Sequence, residues 1–174
     1  LKGNINFTSS ISANYIIYLL PGANITFETA TSLAPTTTVY ICQNSTLTAK
    51  TKIDVESKIY NNGTFNAKDL TFQNTVLNSG TVNCGNVSLT NSGALSNEGS
   101  FSAQSIALSS SATIENFSGA TMNVSGLTKI SDATNTIINS GLFVTEFLYV
   151  TNGTVTNKCK FKVTSSPVMF EGKP

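Results

Sequence analysis

Asn61-Asn62-Gly63-Thr64-Phe65, Asn78-Ser79-Gly80-Thr81-Val82, Asn97-Glu98-Gly99-Ser100-Phe101 and Asn139-Ser140-Gly141-Leu142-Phe143 are one phrase written four times. Taking each Gly as slot zero aligns the residues around it. Slot +2 holds Phe65, Val82, Phe101 and Phe143; slot +7 holds Leu70, Val87, Ile106 and Leu148; slot +9 holds Phe72, Leu89, Leu108 and Val150. Slot −4 holds Ile59, Val76, Leu95 and Ile137, and slot −2 is always Asn. Four apolar columns and one Asn column at a fixed period are the mark of a repeat architecture.

The register extends in both directions. With Ala120 at zero, Met122 and Leu127 fall at +2 and +7, while Lys129 falls at +9 with Ile130 beside it, which predicts a bulge or a shifted strand there. With Cys159 at zero, Val155, Asn157, Phe161, Val168 and Phe170 extend the columns. Backwards, Ser45 at zero gives Ile41 and Leu47, with Ile53 and Val55 one place late, and Ala23 at zero gives Leu19 and Ile25. The steps between zero positions average about 19 residues. The longer steps place insertions at corners, near Phe117-Ser118-Gly119 and from Asp132 to Asn135.

Within each repeat apolar and polar residues alternate, as in Leu70-Thr71-Phe72, which is the strand period. Gly and Asn at the joints are expected to supply left-handed or bridge conformations. About 19 residues is too short for a helix pair, which takes about 33–34. The expected fold is all-β: a right-handed parallel β-helix (β-solenoid) of about eight coils, triangular in section, with three short strands per coil. A β-sandwich explains the alternation but not a single register kept through every step. Residues 1–35 read as N-terminal capping coils, 36–170 as the regular solenoid, and 171–174 as a tail cut from a longer protein.

Composition narrows the function classes. The net charge is +1, from ten Lys, no Arg and nine acids. That argues against nucleic acid and anionic membrane surfaces, which call for a basic patch. The longest apolar run, Tyr15 to Leu20, is too short for membrane insertion. Cys42, Cys84 and Cys159 occupy unlike slots on different coils and are expected as free thiols. With no His and no Cys-x-x-Cys, no metal or other cofactor is expected.

Two sets of residues are candidate sites. The Asn column, Asn61, Asn78, Asn97, Asn139 and Asn157, reads as a structural ladder of stacked amides. Slots +1 and +3 place Thr46, Thr64, Thr81, Ser100 and Thr121 beside Thr48, Asn66, Asn83, Ser102 and Asn123 on an outward strip that could contact sugars or order water. Catalysis has little basis. Asp69, Glu98, Glu115 and Glu146 lie in unlike slots, and only Lys50 and Lys68 share one. A catalytic carboxylate pair must face across one groove. Tyr40, Tyr60 and Tyr149 are read into different outward slots. Eight Asn-x-Ser/Thr sequons occur, at Asn6, Asn24, Asn44, Asn62, Asn86, Asn116, Asn123 and Asn152.

The Asn-x-Gly-Thr-Phe/Val series, preceded by Val39-Tyr40-Ile41 and Asn44-Ser45-Thr46-Leu47, resembles the repeat regions of bacterial surface proteins of the filamentous-haemagglutinin and autotransporter-passenger kind. It is also similar to the Asn/Gly/Thr repeats of large secreted Bacteroidetes surface proteins. The resemblance covers roughly residues 36–163. It implies an extracellular or cell-surface location, attached to an outer membrane through other segments, and an adhesive or spacer role with no catalytic residues. Partners would be a glycan or a host matrix protein, with end-to-end or edge pairing through an uncapped C-terminal coil. The alternative is a carbohydrate-binding module using the strip; a polysaccharide-degrading enzyme or an ice-binding protein ranks below both.

Overall fold

The computed structural model describes residues 1–12, 14–166 and 168–170. Among them there is no helix. Seventeen strands form one continuous sheet wound into a β-solenoid of about eight turns. Every strand pairing is parallel.

The sequence columns become physical columns. Phe65 pairs with Val82, Val82 with Phe101, Phe101 with Met122, Met122 with Phe143, and Phe143 with Phe161. Below Phe65 the column continues through Leu47 and Ile25 to Ile5. Parallel neighbours lie about 4.8 Å apart, so each of these side chains rests on its copy one coil away. The Phe143 and Phe161 rings stack at 4.7 Å with planes 9° apart. Phe27, Phe65, Phe72, Phe101 and Phe143 are fully buried.

Each turn has three faces. Slots +1 to +9 form one strand that bends in its middle, as in Thr64–Phe72, whose apolar residues point inward on either side of exposed Lys68. The first face is its leading half and the second face its trailing half. The third face is a four-residue strand such as Thr75–Asn78. Residues 1–35 contribute Asn4–Phe7 and Asn24–Phe27 to the first face and Ile16–Leu19 to the third, in the register of the later coils. The 171–174 tail lies outside the described residues.

Corners between the third and first faces come in two lengths, and this corrects part of the alignment. Short corners place two residues between the faces, as Ser79-Gly80 do between Asn78 and Thr81. Long corners place four, at Leu20–Ala23, Cys42–Ser45 and Phe117–Ala120. Val39 therefore pairs with Ile59, and Ile41 pairs with Asn61, so Leu19 and Ile41 sit at the Asn level instead of at slot −4. The long corner also brings Asn116 into the Asn column, which the fixed slot numbering passed over. The insertion expected near 117–119 is this corner. At 125–127 the expected bulge is present, and it turns Leu127 outward while buried Thr128 takes the inward place.

The Asn-x-Gly glycines do not supply left-handed backbone. Among the corners between the third and first faces, positive φ occurs instead in the long ones, at Gly22, Asn44 and Gly119; elsewhere it occurs at Gly3, Asn91, Ser92, Ser110, Ser111 and Gly153. The short-corner glycines are required by close approach. A Cβ on Gly80 would lie 2.2 Å from the Gly63 carbonyl oxygen, and one on Gly99 would lie 2.2 Å from that of Gly80. The tight corners nest backbone on backbone, and no side chain fits between.

From Asn61 onward the Asn column closes the corners. Each Asn Nδ2 donates to the Oδ1 of the next: Asn61 to Asn78 at 2.7 Å, Asn78 to Asn97 at 2.7 Å, Asn97 to Asn116 at 2.8 Å, Asn116 to Asn139 at 2.7 Å and Asn139 to Asn157 at 2.8 Å. The second proton of each amide from Asn61 to Asn139 goes to a first-face carbonyl one coil on, for example Asn78 to Ser100 at 3.0 Å and Asn97 to Thr121 at 3.1 Å, while Asn157 donates to the Cys159 carbonyl of its own corner at 2.9 Å. These amides are buried, apart from the exposed terminal Asn157. A buried amide stripped of its partners costs roughly 1–3 kcal/mol per unmade bond.

Two stability outcomes follow. Asn97→Leu leaves unpaired groups on both sides and is expected to cost about 3 kcal/mol, against about 1–2 kcal/mol for Asn61→Leu, which breaks the ladder only on its upper side and abuts Ile41. Gly80→Ala is expected to cost more than about 2 kcal/mol, because the added Cβ would lie 2.2 Å from the Gly63 carbonyl oxygen and backbone must shift. Urea unfolding followed by far-ultraviolet circular dichroism measures all three. Equal costs for Asn97→Leu and Asn61→Leu refute the ladder account.

Candidate functional site

The outward strip on the first face is formed by strands whose inward residues are locked in the core, so its spacing is set from within. Thr46, Thr64, Thr81, Ser100 and Thr121 are paired level by level, as are Thr48, Asn66, Asn83, Ser102 and Asn123. Ser100, Asn83 and Asn123 are exposed, and the other members are half-buried between neighbours in their columns. Asn83 Nδ2 donates to Asn66 Oδ1 at 3.0 Å. The strip extends downward as Asn4 and Asn24, whose amides are also bonded at 3.0 Å. It ends upward where Leu142 and Val144 replace the polar pair, followed by Lys160 and Lys162.

Beside Asn83, Ser102 and Asn123 the wall is indented. A shallow depression of about 490 Å³ is lined by those three residues with Cys84, Gly85, Ala103, Gln104 and Ser125. Gly85 explains it. A Cβ there would lie 2.2 Å from the Lys68 carbonyl oxygen, so the bend between the first and second faces carries no side chain at that level. The rim offers amides and hydroxyls, which can both donate and accept, and no formal charge. Neutral, hydroxyl-rich groups suit such a lining.

The one ionisable group in the depression is inert. Cys84 donates its S–H to the Ser102 carbonyl at 3.3 Å, and burial pushes its pKa up from 9.0 to about 12. The thiol is therefore protonated at neutral pH and is a poor nucleophile. All three cysteines are free; Cys159 is exposed.

Charged residues on the second face are paired for structure. Lys50 Nζ contacts Glu28 at 2.7 Å, and Lys52 Nζ contacts Asp54 at 2.8 Å. The bulge between Ala49 and Lys52 sets Lys52 level with Asp69. Asp69 Oδ1 accepts from the Asn86 amide at 2.9 Å, and Asn86 Oδ1 accepts from Ser105 Oγ at 2.8 Å. Asp132 is held below its usual range by the Thr134 backbone N–H and then by the Thr134 hydroxyl, in a small turn at the second insertion. Among the described residues no three His, Cys, Asp or Glu side chains gather where a metal ion could be held.

The aromatic residues hold the feature that fixed spacing hid. Tyr18, Tyr40 and Tyr60 stack on one another outside the third face, with ring centroids 4.6 and 4.8 Å apart and planes 8° apart in both pairs. Tyr40 and Tyr60 thus share a column, because the long corner after Ile41 offsets them by two slots. Aligning on the residue before the corner, instead of on the glycine within it, reveals the column in the sequence. Tyr149 stands on the second face, with Lys129 Nζ 5.9 Å from its ring centre.

A scan against protein-family models returned no match, and searches of curated proteins and of solved structures returned none either.

The cysteine environments give a direct outcome. Iodoacetamide at mildly alkaline pH is expected to label Cys159 and leave Cys84 unlabelled in the folded chain, and to label both in urea. The Cys84 pKa is raised on folding, so its contribution to stability is complete below the unfolded value near 9 and is lost as pH rises from there towards 12. Unfolding midpoints measured across that window should fall less steeply for Cys84→Ala than for the parent chain.

Proposed function

We propose that this chain is a non-catalytic segment of a secreted or cell-surface protein, serving as a structural spacer or adhesin whose first face is the adhesive surface. The carrying observation is the register of the first face, which runs without a shift from coil to coil. Core column, Asn ladder and outward strip run together from coil to coil, so the rod presents one repeated polar surface at fixed spacing. A surface of this kind suits multivalent, low-affinity contact, where many weak equal sites add. The acids and lysines are spread over unlike levels and faces, which favours presentation over bond-breaking. The resemblance to bacterial surface repeats points the same way.

The depression beside Asn83 favours one second reading, a carbohydrate-binding module. Its uncharged rim of Asn83, Ser102, Gln104 and Asn123 matches neutral saccharide hydroxyls.

The folded chain should bind immobilised matrix glycoproteins or cells, with Thr64→Tyr/Thr81→Tyr weakening binding at least tenfold while leaving thermal unfolding nearly unchanged. Binding that survives this double substitution moves adhesion off the first face. A glycan array blank for both the parent and the variant removes the carbohydrate reading. A screen blank for matrix, cells and glycans alike leaves the spacer. Depolymerisation of a polysaccharide by the purified chain overturns the proposal.

A further inference from the structure

We infer that the third face is a self-association surface on which two copies pack antiparallel, matched over its full length. The face has eight levels: Ile16–Leu19, Thr38–Ile41, Lys58–Asn61, Thr75–Asn78, Ala94–Asn97, Thr113–Asn116 and then residues 136–139 and 154–157. Over the first four levels one of its two outward columns is apolar, with Tyr18, Tyr40, Tyr60 and Leu77 following one another, beside a second column of Ile16, Thr38, Lys58 and Thr75. Tyr18 is 49% and Leu77 36% exposed. This stripe runs along the side wall, so winding further coils onto either end of the rod would not cover it.

Charge selects the partner and the direction. The only charged side chains on this face are Lys58, at the third level, and Glu115, at the sixth. Among the described residues neither joins a salt bridge. A two-fold axis midway between the Thr75–Asn78 and Ala94–Asn97 levels exchanges the third level with the sixth. Lys58 of each copy then lies diagonally beside Glu115 of the other, and the contact occurs twice. The same operation sets Tyr60 opposite Glu115 of the second copy, hydroxyl to carboxylate, and Tyr40 opposite Ile138. A parallel arrangement would bring Lys58 level with Lys58 and Glu115 level with Glu115, which repels. An isologous contact of this form closes on itself and stops at a dimer. The net charge of +1 leaves little long-range repulsion between copies.

The face is narrow. Seven spacings of about 4.8 Å and a strand of about 13 Å give roughly 450 Å² per copy, about 900 Å² in all, which is below the standard size for a stable complex. The dimer is accordingly weak and sensitive to salt.

Sedimentation velocity from micromolar to millimolar concentration at low salt tests this, with thermal unfolding as the check that each variant is folded. The parent chain should pass from monomer to dimer, and added salt should shift it back. Lys58→Glu should weaken the dimer about tenfold, and Lys58→Glu/Glu115→Lys should restore it. A parent chain that stays monomeric overturns the inference. So does a Lys58→Glu variant that dimerises as the parent does, or a double variant that fails to recover. Because Lys58 points to solvent, these outcomes do not depend on disturbing the tyrosine stack. They are also independent of whether the first face binds anything.

Discussion

Parallel strand pairing across one coil governs everything else in this molecule. It places each side chain directly above the residue about 19 positions earlier and fixes the separation at about 4.8 Å. That distance suits like on like. Flat rings stack, amides bond end to end, and aliphatic side chains fill a narrow core. No single coil could bury Phe65 or Phe101, since each needs the coil above and the coil below to exclude water. Stability is therefore a sum of neighbour contacts.

The corners show what the stacking demands. Where two residues turn the chain, backbone nests on backbone and glycine is the residue that fits, as at Gly80 and Gly99. The Asn before the corner then supplies what the tight turn leaves open, with both amide protons engaged one coil on. Where four residues turn the chain, the corner makes its own bond, as from Ala120 N to Phe117 O at 3.1 Å, and positive φ moves to Gly119. The corner is thus a local choice between two solutions, made without disturbing the columns on either side.

The outward faces inherit their order from this scaffold. The polar strip of the first face and the tyrosine stack of the third are both periodic because the inward residues between them are. They differ in chemistry. One offers amides and hydroxyls around a shallow notch, and the other offers ring edges and two unpaired opposite charges. A rod with two such walls can meet one class of partner on one side and a copy of itself on another.

Much of this was legible in the sequence. Alternation at period two and the repeat of about 19 residues determined the parallel solenoid, its inward columns and the outward strip from Thr46 to Asn123, because a strand's side-chain direction depends only on counting by two. The Asn ladder was visible wherever the short corner recurred. What counting along the chain could not supply was corner length. Two extra residues at Cys42–Ser45 and Phe117–Ala120 leave the strand alternation intact while shifting the slot numbers, so a count taken from the glycine hides Ile41 and Asn116 at the Asn level and the stacking of Tyr40 on Tyr60, and the tertiary structure showed which alignment holds. The same holds for the glycines. Their necessity lies in a carbonyl one coil away, and a clash between residues 17 or 19 positions apart leaves no trace in the local sequence.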